Sequence, residues 1–358
     1  MPTLFGEEWS RERLLDYVGD LSQVAGVRHT QAVDGPERGA DQIAMWNGSG
    51  LELGLVPGRC LDVASARFKG MSLCYRSHTG EVGPAFYEPE SDGWLRGFYG
   101  GLVLTCCLTF MGHAEIDPEE ENRELGVHGR ISFAPAAQVA VESWWEGEEF
   151  LIEARGRMRE AVVFGANLEL RRRIRMRLGE PRFTIHDEVE NLSRTVRSPL
   201  MLVYHTNPGF PVLREGARVL LRSRRTTEWT EHREVGPEIY TPVLPPIAPQ
   251  DDVFVHDPET DAEGYVNVAL VNDGLAGGLG LYWRYRKEEL PVLNQWRHFE
   301  AGTYVMGIEP GTCSVLGRKA NRAAGTLQHL SPGEIRSITL EMGVLEGAEA
   351  IARFERGL

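Results

Sequence analysis

Apolar residues fall along this chain in short runs and alternating stretches rather than at helical spacing. The longest runs are strand-sized, such as Leu102 to Phe110, and 40 glycines and 20 prolines separate them. Many short apolar segments punctuated in this way predict an all-β fold, a large sandwich or barrel with few short helices. The one helical candidate is Trp9 to Leu21, where Ser10 stands at a capping position and Leu14, Leu15 and Val18 share a face. It would make residues 1–20 a short helical lead-in. Near the other end, Ile335 to Met342 reads as a strand, and the charged tail 346–358 suits a short terminal helix.

The clearest element is a hairpin from Asn167 to Asn191. Leu168, Leu170, Ile174, Met176 and Leu178 share one parity, and Arg171, Arg173, Arg175 and Arg177 share the other. After Gly179-Glu180-Pro181-Arg182, Phe183, Ile185 and Val189 take one face, and Thr184, His186, Glu188 and Glu190 take the other. Folding at that turn sets Arg173 near Glu188 and Arg171 near Glu190. Cross-strand charge pairs of this kind contribute roughly 0.2–1 kcal/mol each. The arginine run therefore reads as a solvated sheet face, not as a phosphate or nucleic-acid site.

No repeat, low-complexity tract or composition break marks a linker, so residues 1–358 read as a single domain. The proline-rich stretches 237–249 and 257–264 read as surface connections. No apolar run approaches the ~20 residues of a membrane span. The N-terminal residues Glu7, Glu8, Arg11, Glu12 and Arg13 leave no room for an apolar signal core, so the expectation is a soluble, cytoplasmic protein. Lys and Arg number 38 against 52 Asp and Glu, a net charge of −14. That balance disfavours nucleic acid and anionic membranes, whose phosphates need a basic footprint. The five cysteines show no metal-finger spacing and are expected to be reduced thiols packed in strands. Cys106 and Cys107, as neighbours on a strand, should point to opposite faces.

Three fragments place chemistry beside backbone breaks. In Tyr204-His205-Thr206-Asn207-Pro208-Gly209, an apolar run delivers a histidine and an asparagine to a stretch broken by proline and glycine. Such breaks release side chains into a rim or cleft. In Gly126-Val127-His128-Gly129-Arg130, the glycines permit close approach of backbone to a ligand, and Arg130 offers a fork of donors. In Met306-Gly307-Ile308-Glu309-Pro310-Gly311, a carboxylate follows an apolar run and is held by a proline. Two imidazoles and one carboxylate are the raw material of a general acid–base pair. Arg96, in Trp94-Leu95-Arg96-Gly97-Phe98, lies among aromatics able to stack on a sugar face. Gln295 and Trp296, in Asn294-Gln295-Trp296-Arg297, are further candidate substrate contacts, Trp296 as a second platform. Each of these residues also has a plain structural reading as a turn, surface or core residue. Asp62 has no decisive context. No phosphate loop, nucleophile elbow or HExxH is present, and the glycine-rich Gly274 to Gly280 lacks the frame of a dinucleotide site. His128, His205 and Glu309 sit singly on separate elements, a weak basis for a metal.

The order Trp94-Leu95-Arg96-Gly97, Gly100-Gly101-Leu102, Thr105-Cys106 and His128-Gly129-Arg130 resembles the aldose 1-epimerase (galactose mutarotase) superfamily, in an uncharacterised branch. Asp187-Glu188-Val189-Glu190-Asn191, Tyr204-His205-Thr206-Asn207-Pro208-Gly209 and Gly307-Ile308-Glu309-Pro310 continue the resemblance, which spans about residues 21–343. It implies a β-supersandwich with a sugar bound on the concave face of a sheet. It further implies His205 as general acid, Glu309 as general base, His128 as a substrate-binding histidine and Arg96 as a contact to sugar hydroxyls. His205 is followed here by Thr206-Asn207-Pro208-Gly209 instead of the family's aromatic-asparagine-leucine, which points away from galactose or glucose as substrate.

The activity so implied is exchange of α and β anomers by acid–base ring opening. A base ionising near pH 4–5 and an imidazole protonated near neutrality suit it, and no metal or organic cofactor is required. The partner is a small-molecule sugar, and exposed sheet edges leave a homodimer open. Two other readings remain: an epimerase acting on a hexose phosphate, and a non-catalytic carbohydrate-binding protein using Trp94, Phe98, Trp283 and Trp296 as stacking platforms.

Overall fold

The computed structural model describes residues 1–120, 123–230, 232–246 and 251–358. Among these, two large antiparallel sheets carry the fold. One has eleven strands. From one edge it runs Ser223–Glu228, Asp251–Pro258, Val292–Glu300, Thr303–Gly311, Val203–Thr206 and Val103–Cys106, then Asp62–Phe68 and three further strands back to Ala25–Gln31. The other has eight, with Asn167–Arg177, Arg182–Asn191, Ile335–Glu346 and Leu279–Arg286 at its centre. Both sheets feed one apolar cluster, Leu53, Val63, Leu293 and Ile308 from the first against Leu170, Ile185, Trp283 and Leu340 from the second. This is a two-sheet antiparallel sandwich, with four short α-helices among the described residues. None of these is long and apolar enough to cross a membrane.

Period-two alternation builds these strands, and burial of one parity drives the layers together. The hairpin forms as Asn167–Arg177 and Arg182–Asn191, but its register differs by two residues from the expected one. Arg171 faces Glu188 and Arg173 faces His186. The turn centres on Gly179, whose φ of +76° a glycine adopts without strain, and not on Glu180-Pro181. Arg171 bonds both Glu190, at 2.7 Å, and Glu188, at 3.2 Å, while Arg173 and Glu188 are not partners. Arg172, of the apolar parity, points inward.

Three other expectations are corrected. The N-terminal helix is only Arg11–Leu15, capped by the Ser10 hydroxyl; Leu14 is buried and Leu15 exposed. Cys106 and Cys107 pack in the same apolar cluster, because the strand ends at Cys106 and Cys107 turns to φ +59°. Trp283 is buried between the sheets and cannot stack on a ligand. All five cysteines are free and buried, though of them only Cys106 lies in a named strand. The tail forms the helix Ala348–Arg356, after a strand that extends to Glu346.

Candidate active site

The candidate site lies on the face of the eleven-stranded sheet turned away from the second sheet. Register puts its parts together. Val203 pairs with Gly311 and Thr206 with Ile308, so His205 stands directly across from Glu309. On its other side Glu309 faces Asn294, and His205 faces Leu104. Residues opposite one another on antiparallel strands share a face. His205 Nε2 is 3.3 Å from Glu309 Oε1. The two residues are 5% and 2% exposed. The carboxyl lies over Gly307, where a Cβ would collide with Oε1. That glycine is needed for the space it leaves.

Aromatic rings close around the pair. Phe98 and Trp296 lie 5.5 and 5.7 Å from the His205 ring. His128 meets His205 edge-on at 5.8 Å and Trp94 at 4.7 Å. The loop carrying His128 is left-handed at both His128 and Gly129 (φ +53° and +63°), which turns the imidazole toward His205. Trp94 is anchored by its indole N–H to the Ser132 hydroxyl at 2.9 Å.

Burial sets the electrostatics. It pushes the Glu309 carboxyl up to about 8 and the His205 imidazole down to about 4. His128 is driven well below the ordinary histidine value by burial and then by His205 and His113. At neutral pH both shifts favour a protonated Glu309 against a neutral His205, in place of the ionised base and protonated imidazole expected from sequence. Three buried polar atoms here make no hydrogen bond of good geometry, His128 Nδ1, His205 Nδ1 and Asn207 Oδ1, although the Asn207 side chain acts on the His205 imidazole against the effect of burial. Buried polar atoms are nearly always bonded, so this cluster is suited to ligand or water.

The remaining sequence candidates divide. Trp296 joins the site. Asn207 sits two residues beyond His205 and donates to its carbonyl at 3.0 Å. Arg96 does not join it: the turn Gly93–Gly97 aims Trp94 inward and leaves the Arg96 side chain 74% exposed, 3.1 Å from Glu88. Gln295 lies on the opposite face, where its amide donates to the Tyr240 carbonyl at 2.8 Å and its oxygen meets His256 at 3.1 Å. Arg130 is exposed on a separate cavity of about 770 Å³ that none of His128, His205, Trp296 or Glu309 lines. Sequence reasoning also passed over several residues. His113 stacks on Trp229 at 5.2 Å near His128. Behind the site, the Tyr204 hydroxyl donates to Asp187 at 2.8 Å. Arg172 bonds Asp187 and Asp62 at 2.6 Å each. Arg172 and Asp187 share the apolar parity of their strands, and that was the signal available.

The family model described as a domain of unknown function (DUF4432) matches residues 37–344. The chain belongs to that family. Its fold is similar to a Klebsiella pneumoniae crystal structure described as a "putative aldose 1-epimerase", at 25% identity and a TM-score of 0.85, covering 94% of this chain and 89% of that one. A galactose mutarotase-like protein from Clostridium acetobutylicum (13% identity, TM-score 0.62) is matched over 90% of this chain and 99% of that one. The galactose 1-epimerase of Lactobacillus acidophilus (12%, TM-score 0.60) is matched over the same shares, 90% and 99%. No curated protein matches the sequence. The DUF4432 chain is thus a member of the aldose 1-epimerase-like superfamily, as the motif order implied.

Proposed function

We propose that the protein interconverts the anomers of an aldose, with Glu309 and His205 moving the two protons. The observation that carries this reading is the buried contact of 3.3 Å between an imidazole and a carboxyl set across from each other on neighbouring strands. A purely binding site has no need of that pair.

The protons balance over the cycle. The Glu309 carboxylate takes the proton from O1, and the freed electron pair forms the C1=O1 double bond. The C1–O5 bond breaks, and O5 takes a proton from His205 Nε2. Rotation about C1–C2 presents the other face of the aldehyde, and the same transfers in reverse close the ring. Burial tunes both groups for these roles. A carboxylate whose acid is held up to about 8 is a stronger base than an exposed one, and an imidazolium pushed down to about 4 is a stronger acid. The reactive ion pair has the proton count of the resting neutral pair and is reached by moving one proton from Glu309 to His205, a transfer that burial opposes.

Each group contributes about 10²–10⁴-fold. In Glu309→Gln and His205→Ala, exchange between anomers, followed by polarimetry, should fall by at least about a hundredfold. Wild-type rates in both variants would remove the mechanism.

A further inference from the structure

We propose that the cavity beside the His128 loop is a second binding site, which takes a small organic anion with an apolar body, such as an aryl or alkyl phosphate. The site is separate from the acid–base pair, and it stands whether or not the protein exchanges anomers. The cavity holds about 770 Å³, which is room for a small ligand. Three parts of the chain build it. The first is the turn 162–166, between the strands Glu149–Ala161 and Asn167–Arg177. The second is the segment with Arg197 and Ser198. It is held there because the Leu192 N–H donates to the Asn167 carbonyl and the Asn191 amide donates to the Val196 carbonyl, both at 2.9 Å. The third is the loop that carries His128, which contributes Gly126, Gly129 and Arg130. The Tyr87 hydroxyl fixes that loop by donating to the Gly129 carbonyl at 2.9 Å.

Charge decides the class of ligand. Three carboxylates line the cavity, and each already has donors of its own. Glu119 pairs with Arg322 at 3.1 Å. Glu124 accepts from the Ser91 N–H and hydroxyl at 3.1 and 3.0 Å. Glu160 accepts from the Thr109 hydroxyl and the Leu108 N–H. The Arg318 guanidinium is likewise held, by the Thr109 carbonyl at 3.1 Å and Asp117 at 3.3 Å. Arg130 and Arg197 differ: both are exposed, and their side chains make no ion pair or hydrogen bond among the described residues. In a chain of net charge −14, two uncommitted cations on one cavity are a local feature and not part of a general basic surface. Guanidinium groups match the geometry of phosphate and carboxylate oxygens. Ser198 adds a buried hydroxyl that makes no hydrogen bond, and such a group calls for a partner. The rest of the lining sets the body of the ligand. Val162, Val163 and Phe164 are exposed on the turn, and an apolar group entering the cavity would cover them. An inorganic anion alone would leave them bare.

The test is isothermal titration calorimetry at constant ionic strength with phenyl phosphate, inorganic phosphate and phenol. Phenyl phosphate should bind saturably, one to one and about tenfold tighter than inorganic phosphate, while phenol should not bind. Arg130→Gln and Arg197→Gln should each weaken phenyl phosphate by about tenfold. Val163→Ser should cut the advantage of phenyl phosphate over inorganic phosphate about threefold. All three side chains are exposed, so the variants should melt with the wild type, which circular dichroism checks. The comparison of the three probes needs no variant. Glu309→Gln, at the acid–base pair, should bind phenyl phosphate as the wild type does. No saturable binding, or undiminished binding in both arginine variants, would overturn the site. Loss of binding in Glu309→Gln with binding kept in the arginine variants would overturn it too, by putting the anion at the acid–base pair. Phenol binding as tightly as phenyl phosphate would overturn the anionic class, and inorganic phosphate doing so would overturn the apolar body.

Discussion

Glu309 and His205 respond to pH in opposite senses because burial disfavours charge on both. Folded Glu309 holds its proton to about pH 8, against an ordinary value of 4.5, so the folded chain keeps a proton that the unfolded chain has lost. Its contribution to stability is full below about pH 4.5 and is lost as pH rises toward 8. Folded His205 titrates near 4, against an ordinary 6.5, so its contribution is full above about 6.5 and is lost as pH falls toward 4. Between about pH 6.5 and 8 only the Glu309 slope remains. Urea denaturation from pH 6.5 to 8.5 should show the wild type losing stability relative to Glu309→Gln. A difference between the two proteins that does not change with pH would mean the carboxyl is ionised throughout. At this scale His128, His205, Asn207 and Glu309 were legible in fragments broken by glycine or proline, and Trp296 only as an aromatic candidate. Their protonation was not, because it depends on what other strands pack over them. Arg96 and Gln295 were misplaced for a related reason: a short turn and a strand parity decide which neighbour faces in.

Elements were legible wherever one face is apolar and the other charged. The hairpin Asn167–Asn191 was recovered with its inner and outer faces, yet its register depended on the backbone of Gly179. A double-mutant cycle separates the two registers. Arg171 and Glu188 should couple by about 0.2–1 kcal/mol, and Arg173 and Glu188 by nothing measurable. The reverse pattern would restore the turn at Glu180-Pro181. The same limit explains Cys107: an apolar run says where a strand is, while the residue at which the chain leaves it is set by the loop that must be reached.

Across the whole molecule, the two sheets are joined by a buried polar group as well as by apolar contact. Arg172 from the smaller sheet reaches Asp187 and Asp62, Asp62 binds Thr105, and Asp187 binds Tyr204, the residue before His205. Burial raises Asp62 to about 6 even against the pull of Arg172. Removing Arg172 leaves two buried acids without the cation they share. Arg172→Met should cost about 3–5 kcal/mol in urea denaturation, whereas Arg173→Met, on the solvated face, should stay within about 0.5 kcal/mol. Equal effects would mean that Arg172 does not bridge the sheets. The sequence by itself determined the fold class, the strands with clean alternation and the residues with acid–base chemistry, because those follow from side-chain type and a period of two. The tertiary structure decided which of those residues meet. His205 and Glu309 are more than a hundred positions apart and come into contact only through strand order and register. Phe98 and Trp296 close on His205 from different elements, which no local pattern encodes.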